Sequence, residues 1–169
     1  FIEKLRMISF SNSFYESIIG ITDINSLLYT AGQIINRQLE NCDIWFFHRQ
    51  YKDYNLYSCS QRPDAVTQPD SDMLEQSFSN ELVELICQEN QLCDLTKLSE
   101  LDIEAATMKL RNFNCVAIPV SSFGTCIGFL LLTTEKSNQI TADKLDYTQS
   151  IIPGLYRAIE CCQLSLKTQ

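Results

Sequence analysis

The sequence predicts an α+β domain, an antiparallel-rich sheet with the terminal helices on one face. Three observations carry this. Apolar residues recur at helical spacing at both ends of the chain and in short internal stretches. Two pairs of β-rich runs are each joined by a short turn. The 169 residues are 45% apolar and 20% charged, an ordinary globular composition and enough for one domain at ~150 residues each.

Residues 1–21 form the first helix. Phe1, Leu5, Ile8, Asn12, Tyr15 and Ile19 make one stripe, and Met7, Phe10, Phe14, Ile18 and Ile21 a second beside it. One stripe can face the domain and the other a partner helix, with Asn12 as a register-setting polar residue. The alternative is a helix packed wholly on its own domain. Thr22 or Asp23 is an N-cap, and Ile24, Leu27, Leu28, Ala31, Ile34, Ile35 and Leu39 mark an amphipathic helix to about residue 40. The aromatic run Ile44-Trp45-Phe46-Phe47 is too short for a helix and reads as a buried strand. Lys52 to Asn55 is a turn, and Leu56 to Ser60 a second strand. Gln61 to Asp72 has no period and two prolines, and reads as a loop.

Ser79 or Asn80 caps a helix burying Leu82, Leu85 and Ile86. Leu92 to Leu95 is a short extended segment. Ser99 caps a further helix with Leu101, Ala105 and Met108 inside. Cys115 to Val120 and Thr125 to Thr133 are two strands around a Ser121–Gly124 turn. Pro119 lacks a backbone donor, so it belongs at an edge, a bulge or a strand end. The last helix opens near Thr141. Leu145, Thr148, Ile152, Leu155, Ile159, Cys162 and Leu166 form a heptad seam, and Pro153 should kink the helix between Gln149 and Ile152.

Composition and motifs exclude several functions. The net charge of −8 disfavours a nucleic-acid partner. There is no secretory signal, and the longest apolar run, Ile127–Leu132, is far short of the ~20 residues that span a bilayer. A cytoplasmic location and no membrane contact are expected. The chain opens on Phe1, already in a helical pattern, and reads as a piece of a longer protein. The eight cysteines include no C-x-x-C, and His48 is the single histidine, so no metal site is expected. Reduced, buried thiols are the expected state. No G-x-S-x-G, Walker or G-x-G-x-x-G motif occurs, and no carboxylate adjoins His48 in sequence to build a triad. Glu81 with Glu84, and Asp102 with Glu104, read as solvated helix faces. The chain is therefore expected not to be an enzyme.

Val116-Ala117-Ile118-Pro119-Val120, the turn at Gly124, Ile127-Gly128-Phe129-Leu130-Leu131-Leu132 and Ile140-Thr141-Ala142-Asp143-Lys144-Leu145 resemble the C-terminal half of a GAF domain. Cys93-Asp94-Leu95 resembles the short strand before that family's pocket helix. The resemblance follows element order over about residues 22–165 and is specific over about 116–145. It implies a PAS-related, six-stranded antiparallel sheet, with terminal helices on one face and a small-molecule pocket on the other. It further implies a sensor module of a histidine kinase or a cyclic-di-nucleotide enzyme (cyclic-di-GMP signalling), dimerising through its terminal helices and covalently continued by an effector domain. Residues 1–21 would be the signalling and dimerisation helix, and 22–165 the sensor.

Departures from the family narrow the ligand. The expected pocket helix, Ser99–Asn112, has no Cys-His pair for a bilin, and His48 reads as structural rather than as a haem ligand. No cyclic-nucleotide signature is legible. Cys93 and Cys115 lack the Gly-rich context of the free methionine sulfoxide reductases that share the fold, so a reductase or thiol redox sensor is a minor alternative. No cofactor is expected. Strand alternation puts Trp45 and Phe47 on one face and Ile44 and Phe46 on the other, one pair toward the pocket and one toward the terminal helices. The candidate ligand set is Trp45, Phe47, Tyr57, Cys93, Asp94, Met108, Cys115 and Thr125. The competing reading is a collapsed pocket in a ligand-free dimerising spacer.

Overall fold

The computed structural model describes residues 1–62, 69–95 and 112–167, with side chains up to residue 164. The elements are α1 (Ile2–Ile18), α2 (Ile24–Leu39), β1 (Asp43–Gln50), β2 (Asp53–Ser60), α3 (Ser71–Ser77), α4 (Asn80–Glu89), β3 (Cys93–Asp94), β4 (Phe113–Ser122), β5 (Thr125–Glu135), α5 (Ala142–Ser150) and α6 (Ile152–Lys167). The expected Ser99 helix, with Met108, lies outside the described residues.

Local chemistry sets the boundaries. Asp23 accepts from the Ser26 amide at 2.9 Å, Ser79 accepts from Leu82 at 3.1 Å, and Thr141 accepts from Lys144 at 3.4 Å. Each side chain occupies an otherwise orphaned helical N–H. Asp70 does the same for Met73 at 2.7 Å and opens α3, inside the stretch expected to begin as a loop. A helix of seven residues is too short to display a period; burial of Leu74 and of the adjoining Phe78 holds it on the sheet.

Both hairpins are tighter than the sequence suggested. Gln50 pairs with Asp53 across Tyr51, whose φ is 49°, and Ser122 pairs with Thr125 across Phe123 (φ 49°) and Gly124 (φ 82°). In the second hairpin, positive φ at both central residues matches the twist of the flanking strands. The last helix breaks at Ile151, and Pro153 falls in the first turn of α6, where its missing N–H costs nothing.

The sheet is antiparallel in the order β2-β1-β5-β4-β3. It has five strands among the described residues, the five legible in the chain's own β-runs; the sixth came only from the resemblance. β3 pairs with Val116 and Ala117 alone, so Pro119 lies where β4 is an edge, as its missing donor requires.

Two apolar layers cover the sheet. Ile44, Phe46, Ile118, Val120, Leu130 and Leu132 pack with α1, α2 and α6. Trp45, Phe47, Cys115, Ala117, Phe129 and Leu131 pack with α3 and α4. Among the described residues no helix is long and apolar enough to cross a membrane.

One expectation is corrected here. Leu155 and Ile159, assigned above to a seam between two chains, are fully buried in their own domain against the sheet. A 3-4 rhythm looks the same whether it faces its own core or another chain. On α1 the two stripes do separate. Phe14 and Ile18 enter the core, whereas Phe1, Leu5 and Ile8 stay 94%, 51% and 57% exposed.

Candidate functional site

The face away from the terminal helices brings several candidates into one row. Trp45 pairs with Leu131, Leu131 with Ala117, and Ala117 with Cys93, so the four share a face across β1, β5, β4 and β3. The neighbouring row is Asp43, Thr133 and Cys115. Strand alternation puts Asp43 and Trp45 on the same side, as it does Thr133 with Leu131 and Cys115 with Ala117.

Two polar atoms there have no hydrogen-bond partner among the described residues: the Trp45 indole N–H and the Thr133 hydroxyl. Both residues are completely buried. A buried donor without an acceptor costs about 1–3 kcal/mol, and these two atoms, in adjacent rows of one face, mark where no partner stands among the described residues. Asp43 beside them is satisfied. Its carboxylate accepts from the Arg62 backbone amide at 2.7 Å, from Nε at 3.2 Å and from an Nη at 3.0 Å. Arg62 also reaches Glu135 at 3.4 Å.

The two cysteines of these rows are poor nucleophiles. Burial pushes the Cys115 thiol up to about 12. Burial, then the charges of Asp94 and Glu89, push Cys93 up as well. Both are protonated at neutral pH, whereas catalytic chemistry needs the thiolate.

The other sequence candidates are placed differently. Phe47 is on this face but filled in by aromatics: its ring lies 4.6 Å from Phe129 and 4.7 Å from Phe78. Tyr57 pairs with Phe46 and packs on the terminal-helix side. Asp94 pairs with Val116, so the pleat turns it away from Cys93. Thr125 ends the β4–β5 hairpin and lines a groove of about 680 Å³ with Asn12, Tyr15, Phe123, Arg157 and Glu160. Met108 lies outside the described residues. His48 faces the terminal helices, its Nε2 3.0 Å from Gln163 Nε2 and its ring stacked 5.7 Å from Phe46. Burial lowers its pKa, consistent with a structural histidine.

Sequence reasoning missed Thr133, Asp43 and Arg62. A carboxylate opening an aromatic strand was a signal for Asp43. Thr133 closes an apolar run without any mark of its own, and Arg62 sits in a stretch with no period.

No protein-family model matches the chain, and no curated protein is similar to it. Solved structures are similar over most of its length. The GAF domain of an Acinetobacter phosphoenolpyruvate-protein phosphotransferase shares 15% identity over 93% of this chain and 94% of that one, with a TM-score of 0.62. A GAF domain/HD domain protein from Geobacter sulfurreducens shares 14% over 87% and 98%, with a TM-score of 0.66. Free methionine-R-sulfoxide reductase from Neisseria meningitidis, solved with its substrate, shares 14% over 94% and 91%, with a TM-score of 0.60. With helices on both faces of an antiparallel sheet, and with this agreement over nearly the full length of three solved chains, the protein has the fold of a GAF domain.

Proposed function

We propose that this chain is the sensory domain of a larger cytoplasmic signalling protein, of the histidine kinase or cyclic-di-nucleotide type, and is not itself catalytic. It binds a small molecule on the β1–β5–β4–β3 face and passes the signal through its terminal helices. The observation that supports this reading is the fully buried Trp45 indole N–H with no partner among the described residues. A ligand carrying a carbonyl, carboxylate or phosphate oxygen satisfies it, with Thr133 as a second contact and Cys93 and Cys115 as soft walls. The protonated state of both cysteines favours a binding role over the reductase chemistry of the Neisseria neighbour. Dimerisation is assigned to the outer α1 stripe of Phe1, Leu5 and Ile8.

Trp45 is the single tryptophan, so its emission reports its own site. Titration with cyclic nucleotides, cyclic dinucleotides and small carboxylic acids should give one saturable emission shift. Trp45→Phe should weaken the same binding about 10-fold by calorimetry, the worth of one hydrogen bond to a buried donor. No saturable shift across the panel, with no small molecule retained in native mass spectra, would favour the ligand-free spacer.

A further inference from the structure

Cys126 should not face Cys87. Phe129 and Leu131 of β5 pack with α3 and α4, while Leu130 and Leu132 pack with the terminal helices. Continued alternation would send residue 127 to the α4 side and residue 126 to the other. The opposite is found: Cys126 packs with α4, and Ile127 with the terminal-helix layer. The cause is a bulge. Val120 pairs with Gly128 and Ser121 with Cys126, which leaves Ile127 as the extra residue. Bulges re-aim side chains next to functional sites. This one turns a thiol through the sheet into the apolar layer that Cys87 of α4 shares, and each of the two thiols is the strongest influence on the other's ionisation.

The surroundings differ from those of the other cysteines. Arg49 acts on both thiols as the nearby cation and is held at 2.8 Å by Glu84, one turn before Cys87 on α4. Cys126 lies on the strand beside exposed Thr125 and keeps 9% of its surface open, against 4% for Cys87. In its thiol form it donates to the Gly128 carbonyl oxygen at 3.2 Å. Six cysteines, namely 42, 59, 87, 93, 115 and 162, are pushed up from the ordinary thiol range. Cys126 alone is lowered, first by Cys87, with Arg49 adding to it.

We propose that Cys126 and Cys87 are a peroxide-oxidisable pair, with Cys126 the attacking and Cys87 the resolving sulfur. The Cys126 thiolate attacks one oxygen of a hydroperoxide, and the O–O bond breaks. The other oxygen leaves as water or alcohol after taking up a proton, and Cys126 becomes a sulfenic acid. The Cys87 sulfur then attacks the Cys126 sulfur. The S–O bond breaks, and the hydroxide leaves as water with the Cys87 proton. The pair gives two electrons, the peroxide is reduced, and a disulfide joins α4 to β5. A thiolate near a cation, with a second thiol in the same layer, is the arrangement this chemistry requires.

The test uses the intact, fully reduced protein. Stoichiometric hydrogen peroxide at neutral pH is followed by alkylation and non-reducing peptide mapping. The expected result is a Cys87–Cys126 cross-linked peptide, formed at least 10-fold faster than oxidation of exposed Cys161. In Cys87→Ala, dimedone should label Cys126, and Arg49→Gln should slow wild-type cross-linking severalfold. If Cys87→Ala fails to fold by circular dichroism, the wild-type map and the Arg49→Gln rate still decide. Oxidation of Cys126 no faster than Cys161, or a disulfide joining other cysteines first, overturns the proposal.

Discussion

Arg62→Ala removes the side chain that holds Asp43, and the structure sets the size of the effect. Asp43 is completely buried, and Arg62 is 9% exposed. Three donors reach the carboxylate, and two of them belong to the guanidinium. The mutation therefore leaves a buried charge with the Arg62 backbone amide and no counter-ion from that residue. Breaking such a pair from one side costs about 3–5 kcal/mol, much of it desolvation of the abandoned ion. With a urea m-value of about 2 kcal/mol/M, the midpoint should fall by roughly 1.5–2.5 M. Replacing both partners should cost far less, since no buried charge is then left without its counter-ion. Asp43→Asn combined with Arg62→Met should thus recover most of the loss. Glu135, 44% exposed at the outer end of the network, should contribute less than about 1 kcal/mol when replaced by Ala. A loss below about 1 kcal/mol for Arg62→Ala would show that water reaches the Asp43 carboxylate and that the buried-pair reasoning fails.

Two further outcomes follow from the buried helices and from His48. Leu155→Glu should unfold the domain, because Leu155 is sealed in its own core; Ile8→Glu should leave the fold intact and separate dimers in analytical ultracentrifugation. A folded, monomeric Leu155→Glu would restore the inter-chain seam. Burial lowers the pKa of His48 from its ordinary 6.5, so the unfolded chain binds this proton more readily than the folded one. Its contribution is complete above about pH 6.5 and is lost as pH falls from there through the lower folded value, at no more than about 1.4 kcal/mol per pH unit. NMR titration of this single imidazole should find a midpoint below 6.5, and one at or above it refutes the assignment.

The sequence by itself determined the layers. Aromatic alternation in Ile44–Phe47, the Asp23, Ser79 and Thr141 caps and the Pro153 break are local chemistry, and local chemistry is written in adjacent residues. The missing donor of Pro119 narrowed it to an edge, a bulge or a strand end, and the pairing of β3 decided for the edge. What only the tertiary structure decided were matters of register and of partner. The faces taken by Tyr57 and Asp94 depend on which residue each opposes, since a shift of one position reverses a strand. The Leu155–Ile159 stripe is equally apolar in a core and in a dimer, and only packing against the sheet distinguishes them. Arg62 finds Asp43 from outside any periodic element. The turning of Cys126 into the layer of Cys87 comes from a single extra residue at Ile127, visible once β4 and β5 are paired. Trp45 could be read as buried, but that its N–H has no partner among the described residues is a property of the assembled neighbours, because a hydrogen bond is decided by position in space rather than by place in the chain.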